Sequence, residues 1–180
     1  MPERNLDMFR KARVEDIDRI SEIYEEILLE EETGRAATGW VRNVYPTRET
    51  AEAAVRSGHM FVEEDAGGRI VAAAKLNQVQ DPAYIQAKWR WDVPEDQVMV
   101  LHTLVVSPRA GGAGYGTRFV DFYEQYALAR GCHYLRMDTN ARNLRARALY
   151  KKLGYTEVGI VPTVFNGIAG VQLVCLEKKV

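Results

Sequence analysis

Hydrophobic positions along the chain recur at two spacings, which predict both helices and strands. From Val14, apolar residues return at helical intervals above an acidic opposite face, predicting an amphipathic helix that ends near residues 32–39. A shorter helix is predicted over residues 48–56, with Thr47 as its N-cap. A third has the apolar stripe Phe119, Phe122, Tyr123 and Tyr126, and a fourth covers residues 143–153, ending at Gly154.

Seven short segments rich in β-branched and aromatic residues predict strands. They are residues 8–12, 59–65, 69–77, 97–106, 133–139, 155–161 and 171–179. The polar, aromatic segment 79–96, with its two prolines, is predicted to be a loop with one helical turn. The order β-α-α-β-β-β-α-β-α-β-β predicts an α+β fold in three layers (α/β/α), with a central mixed, mostly antiparallel sheet of six to seven strands flanked by about four helices. We expect residues 1–180 to form one domain.

Composition and charge exclude several classes of function. With 47% hydrophobic residues, the 180-residue chain can form a core without disulfides. The 24 basic and 25 acidic residues give a net charge of −1, which argues against nucleic-acid binding. No apolar run predicts a membrane span or a signal peptide. Cys132 and Cys175 lack metal-site spacing and are predicted to be reduced thiols, so we expect a cytoplasmic protein that binds no metal and no membrane.

Four glycines lie within residues 111–116, directly before the third predicted helix. Each costs roughly 0.5–1 kcal/mol of backbone entropy relative to alanine. Bare backbone at this position leaves the free amides of a helix N-terminus, and its positive dipole end, open to a phosphate group. A plain connecting loop is the alternative, but it does not require four glycines.

Two known kinds of phosphate loop fit this stretch poorly. A P-loop needs Gly-Lys-Ser/Thr, whereas Thr117 and Arg118 follow Gly116. A dinucleotide site is favoured by the strand that leads in and by Asp138, an acid that ends the following strand and could hold a ribose. However, the glycines are spaced GxGxG, four residues separate them from the strand, and only 42 residues follow Asp138.

Two motifs give the chain a family resemblance. The stretch LVVSPRAGGAGYG (104–116) and the later Asn-x-x-Ala-x-x-Leu-Tyr-x-x-Leu-Gly-Tyr (143–155) resemble the GCN5-related N-acetyltransferase superfamily, as does the element order. The first motif of that family reads roughly Arg/Gln-x-x-Gly-x-Gly/Ala. Gly114 and Gly116 match it, but Gly111 stands at the Arg/Gln position, and Arg109 is the nearby residue that could supply the charge.

The resemblance implies that an acetyl group moves from acetyl-CoA to an amine by direct attack. It also implies that the cofactor's pyrophosphate lies on the glycine loop and that its pantetheine arm pairs with the preceding strand. A bulge in that strand would free an amide for the thioester oxygen. The cofactor-binding residues implied are Leu104, Val105, Val106, Arg109, Gly111, Gly112, Ala113, Gly114, Tyr115, Gly116, Thr117, Asn143, Ala146 and Tyr150.

Two residues are candidates for the proton transfers. Tyr150 shares a helix face with Asn143 and Ala146, and its phenol could protonate the departing thiolate; the alternative is a tyrosine packed in the core. Asn143 also fits an N-cap role. An amine with a pKa near 10.4 is almost wholly protonated at pH 7, so a base is expected. His102, close to the expected bulge, is the candidate, and the alternative is a histidine that faces a neighbouring helix.

Aromatic residues mark the expected acceptor wall. Trp40, Tyr45, Tyr84 and Trp89, with nearby carboxylates, could hold a cationic amine; a packing lid is the alternative. The hairpin tip at residues 165–170 is expected either to add a wall or to contact a second copy in a homodimer. We therefore expect an N-acetyltransferase for a primary amine of a small molecule or a peptide. A non-catalytic coenzyme A-binding or regulatory module is the alternative, favoured by the unusual Gly111.

Overall fold

A computed structural model describes residues 8–180, which form a seven-stranded sheet flanked by four helices. The strands are β1 (Phe9–Lys11), β2 (Met60–Glu64), β3 (Ile70–Asn77), β4 (Val98–Val106), β5 (Tyr134–Asn140), β6 (Thr156–Phe165) and β7 (Ile168–Lys179). The helices are α1 (Ile17–Glu32), α2 (Arg48–Arg56), α3 (Tyr115–Ala129) and α4 (Leu144–Lys152). The predicted element order and fold class are confirmed.

The sheet has the strand order β1-β2-β3-β4-β5-β7-β6. Strands β4 and β5 are parallel, and every other neighbouring pair is antiparallel. The parallel pair requires a crossover, and α3 provides it. Helices α3 and α4 pack against one face of the sheet, while α1 and α2 pack against the other. This arrangement gives the three predicted layers.

Local sequence explains where the first two helices begin and what they bury. The predicted apolar stripe is buried from Ile17 onward, with Ile20 fully inaccessible to solvent, whereas Val14, at which the stripe was predicted to begin, is exposed. Thr47 is the N-cap of α2 as predicted, and its backbone amide donates to Thr50 Oγ1 at 2.9 Å. Within residues 8–180, no helix has both the length and the apolar character to cross a membrane.

The β6–β7 hairpin is longer than predicted. Asn166 and Gly167 form its turn with φ values of 47° and 85°, the left-handed conformations that a tight two-residue hairpin turn requires. The predicted strand stopped before Pro162. In the structure this proline continues β6, because β6 is the edge strand and the missing N–H removes no hydrogen bond of the sheet.

Segment 79–96 is fixed to the sheet by a buried charge. It contains the 3-10 turn Pro82–Gln86 and the start of a second, Glu95–Gln97, rather than the one helical turn predicted. From β5, the buried Arg136 donates to the Trp91 carbonyl at 2.8 Å, and its guanidinium lies 4.2 Å from the ring centroid of Trp89. The segment therefore has a defined position on the face of the sheet opposite to α3 and α4.

Candidate active site

Strand β4 contains a bulge at the point where the sheet opens. His102 pairs with Lys75 and Val105 with Ala73, so β4 has one residue more than β3 between these pairs. Thr103 lies in the bulge with a φ of 52°, a strained conformation for a β-branched residue. Its hydroxyl shares a hydrogen bond with the hydroxyl of Tyr45, from the α1–α2 connection, which helps to hold the bulge.

Strands β4 and β5 separate just before the bulge. Their pairing runs from Val98 and Tyr134 to Leu101 and Met137, whereas β5 continues along β7 as far as Asn140. A cavity of about 110 Å³ lies in the gap. It is lined by Thr38, Gly39, Trp40, Thr103, Leu104, Asp138, Thr139, Asn140, Asn143, Ala146, Tyr150, Phe165, Val171 and Leu173. The cavity therefore connects α4, on one face of the sheet, with the α1–α2 connection on the other.

Asp138 is the carboxyl group of this cavity. Tyr84 donates a hydrogen bond from its hydroxyl to Asp138 Oδ2 at 2.6 Å. Burial, with a contribution from Asp81, raises the pKa of Asp138 to about 7, although the Tyr84 hydrogen bond acts in the opposite direction. Among residues 8–180, no lysine, arginine or histidine lines the cavity. Asp138 can thus gain or lose a proton near neutral pH, a role that the sequence did not suggest.

Tyr150 and Asn143 reach the cavity from α4. Tyr150 is buried, and this burial, with the nearby Asp138 charge, raises the pKa of its phenol. Its hydroxyl has no hydrogen-bond partner among the described residues. Asn143 is the N-cap of α4, since its Oδ1 accepts from the Ala146 amide at 3.1 Å. The N-cap role and a place at the cavity therefore coexist in Asn143.

The glycine loop ends in a set of free amides. Gly112 and Gly114 have φ values of 83° and 74°, and Gly114 is the N-cap of α3. Within residues 8–180, the amides of residues 112–117 donate to no backbone or side-chain acceptor. They lie at the positive end of a 15-residue helix, an arrangement that fits a phosphate group.

The cation that contacts this loop is Arg118 and not the expected Arg109. Arg109 has a side chain 74% exposed, and its Nε lies 3.8 Å from Glu26 Oε1, so it is not held against the loop. Arg118 instead donates to the Ala113 carbonyl at 2.9 Å and to Glu63 Oε1 at 2.8 Å. The Glu63 carboxyl is buried, and burial raises its pKa. Arg118 thereby braces the loop from the first turn of α3.

His102 lies outside the cavity. Its Nε2 is 2.8 Å from Asn77 Oδ1, on the neighbouring strand. Burial, together with the Lys75 charge, lowers the pKa of His102 to about 4, so the imidazole is neutral at pH 7 and already hydrogen-bonded. The described hydrogen bond of His102 is therefore to β3, and His102 is not among the residues that line the cavity.

The four expected acceptor aromatics divide into two pairs. Trp40 lines the cavity, and Tyr45 packs beside it with ring centroids 6.1 Å apart. Tyr84 is buried behind Asp138, and the Trp89 indole N–H donates to its carbonyl at 2.8 Å. Neither Tyr84 nor Trp89 lines the cavity. Phe165, from the hairpin, completes the wall that Trp40 begins.

Comparison with known proteins agrees with this geometry. The model of the acetyltransferase (GNAT) family matches residues 19–155. The chain belongs to the GNAT family. Acetyl-CoA is the acetyl donor of this family.

Solved GNAT structures share the fold over nearly the whole chain. An acetyltransferase of Streptococcus agalactiae is 22% identical with a TM-score of 0.79, covering 96% of this chain and 94% of that chain. A GCN5-related N-acetyltransferase of Kribbella flavida is 21% identical with a TM-score of 0.69, covering 96% of each chain. The Salmonella typhimurium protein yncA, solved with acetyl-CoA, is 21% identical with a TM-score of 0.65, covering 95% of this chain and 92% of that chain.

Proposed function

We propose that this GNAT protein moves the acetyl group of acetyl-CoA to a primary amine of a small molecule or a peptide by direct attack. One observation carries the proposal: one cavity crosses the opened sheet, with Tyr150 on α4 and Asp138 in the second half of β5 both lining it. One group holds a proton that it can donate, and the other can accept one. Transfer of a group to an amine needs both.

The residues present fit the cofactor. The free amides of residues 112–117 would hold its pyrophosphate, and the β4 backbone at residues 104–106 would pair with its pantetheine arm. Asn143 and Ala146 would border that arm from α4. When bound, acetyl-CoA supplies the activated thioester.

Asp138 is the group that we assign as base. An ammonium acceptor must lose a proton before it can attack, and a carboxyl with a pKa of about 7 is largely ionised above neutral pH. The Asp138 carboxylate would accept this proton at Oδ1, because Oδ2 is held by Tyr84. The acceptor would enter from the side of Trp40, whose ring can also contact a cation.

Tyr150 is the group that we assign as acid. The raised pKa keeps its phenol protonated at neutral pH, where Asp138 ionises. A phenol without a hydrogen-bond partner among residues 8–180 is free to donate its proton to the sulfur of coenzyme A. The Tyr150 hydroxyl therefore has the protonation state that this step needs.

Binding and thiol release test the proposal in turn. We expect calorimetry to show micromolar binding of acetyl-CoA and coenzyme A and none of NAD. A panel of primary amines should then include at least one that releases free thiol from acetyl-CoA. Failure to bind acetyl-CoA would overturn the cofactor assignment, whereas binding without release by any amine would favour the non-catalytic module.

Three variants test the assigned roles. Tyr150→Phe and Asp138→Asn should each keep the affinity for acetyl-CoA and lower kcat by about 10²–10⁴-fold. In His102→Ala the rate should still fall at acid pH, the acid limb of the pH profile, because Asp138 still takes up a proton there. Asp138→Asn should lose this limb. If His102→Ala abolishes that limb and Asp138→Asn keeps it, then the base is His102 and our assignment is wrong.

A further inference from the structure

The position of Tyr84 behind Asp138 is fixed by contacts that do not involve its hydroxyl. The turn that carries it begins at Asp81, whose Oδ1 accepts from the Ala83 amide at 2.8 Å. The Tyr84 carbonyl accepts from Trp89 Nε1, and the two rings pack with centroids 5.2 Å apart. The hydroxyl is therefore not needed to place the ring, and its hydrogen bond to Asp138 Oδ2 acts on the carboxyl.

Few other charged groups influence the ionisation of Asp138. The titratable groups that face Asp138 are Tyr84 and Asp81 from segment 79–96, Tyr45 from the α1–α2 connection, Cys175 from β7 and Tyr150 from α4. Arg136, two residues earlier on β5, acts on Tyr84 and Cys175. Within the part of the chain that the structure describes, none of these groups is a cation, and the Tyr84 hydroxyl is the neighbour that favours the ionised carboxyl.

We propose that Tyr84 is a positioning residue for Asp138: its hydroxyl holds Oδ2 and leaves Oδ1 free for the acceptor. The proposal rests on the role of Asp138 in the proposed function. It assigns Tyr84 a different task from the substrate contact that the sequence suggested. Asp81 acts in the opposite sense, because its negative charge disfavours ionisation of Asp138.

Two substitutions with opposite signs test the pair. Tyr84→Phe removes the hydroxyl and keeps the ring, so the pKa of Asp138 should rise. Asp81→Asn removes the charge and keeps an oxygen for the Ala83 amide, so the pKa of Asp138 should fall. We would measure both by ¹³C NMR of protein labelled at the aspartate carboxyl carbon, with the Asp138 signal assigned from Asp138→Asn.

The pH profile of acetyl transfer gives the catalytic readout. A hydrogen bond to a carboxylate changes a pKa by about one unit, so Tyr84→Phe should lower kcat/KM about five-fold at pH 7 and less than about two-fold at pH 9. In Asp81→Asn the acid limb should move to lower pH. A merely structural role of Tyr84 would instead lower the rate equally at every pH.

The two readouts separate this proposal from the proposed function. If the Asp138 signal responds as expected but no amine is acetylated, then the pairing stands and the proposed transfer fails. If acetyl transfer occurs and Tyr84→Phe changes neither the Asp138 pKa nor the acid limb, then the positioning role is overturned. Opposite movements in Tyr84→Phe and Asp81→Asn, in both readouts, would support it.

Discussion

Replacing Gly39 by alanine tests how closely the α1–α2 connection approaches the cavity. Gly39 has a φ of 75°, and a Cβ atom added there would lie 2.3 Å from Asn140 Nδ2. Gly34, in the same connection, has a φ of 74°, but its Cβ would meet no heavy atom within 4 Å. The two glycines share a backbone conformation and differ in this contact, so Gly34→Ala is a matched control.

The expected magnitudes follow from these geometries. An alanine held at left-handed φ costs about 1–2 kcal/mol, and both variants should lose this much unfolding free energy. In Gly39→Ala the Asn140 side chain must also turn away. Its Oδ1 accepts from the Arg142 amide at 3.0 Å, and loss of that bond costs about 1 kcal/mol more. We therefore expect losses of about 2–3 kcal/mol in Gly39→Ala and about 1–2 kcal/mol in Gly34→Ala.

Urea unfolding followed by circular dichroism measures this difference. Asn140 lines the cavity, so Gly39→Ala should also raise KM for whichever amine releases thiol fastest, while Gly34→Ala should not. Calorimetry should show the same acetyl-CoA affinity in both variants, because neither glycine lies in the glycine loop. Equal stability losses together with an unchanged KM would refute the reasoning.

Three further predictions concern buried charge. Arg118→Met should lower the unfolding free energy by about 1–3 kcal/mol at pH 7, because Glu63 stays buried without its partner. The loss should be smaller at pH 5, where the raised pKa lets Glu63 take up a proton; equal urea-unfolding losses at both pH values would contradict this. For Asp138 the native pKa of about 7 lies above its ordinary value of 3.8. Between these two pH values the native state holds a proton that the unfolded state has released, so the unfolding free energy falls as the pH rises through this range. Asp138→Asn should therefore be more stable than the wild type at pH 8 by about 2–4 kcal/mol but not at pH 4, and a constant difference across that range would contradict it. Arg136→Lys should lose about 2–3 kcal/mol and red-shift tryptophan emission, because an ammonium cannot both stack on Trp89 and reach the Trp91 carbonyl; unchanged emission would show that segment 79–96 does not depend on the guanidinium.

Local patterns account for the features that the sequence predicted correctly. Hydrophobic spacing is a property of neighbouring residues, so the order of helices and strands could be read directly. The four glycines within residues 111–116 similarly predicted the loop before α3, because few backbone conformations need so many glycines close together. The bulge in β4 was expected from the family resemblance, and the structure has it at Thr103.

The missed features depend on residues far apart in the chain. Asp138 becomes a candidate base because its carboxyl is buried and accepts a hydrogen bond from Tyr84, 54 residues earlier in the chain. Arg118 braces the glycine loop through Glu63, at a separation of 55 residues. His102 was placed near the bulge correctly, but its hydrogen bond to Asn77 follows from the pairing of β3 with β4. The signal that could have identified the candidate base is the position of Asp138, a carboxylate in the second half of the strand that precedes Asn143.

The divergence of β4 and β5 creates strand edges inside the sheet, and these edges bear on pairing with strands of other molecules. A sheet that splits internally has two inner edges besides the outer edges at β1 and β6. Exposed strand edges recruit strands of other chains, so proteins usually block or shorten them. Here the inner edges face each other across a narrow cavity between helical layers. Their backbone groups can therefore stay available to a slender ligand while a strand from another molecule is kept out.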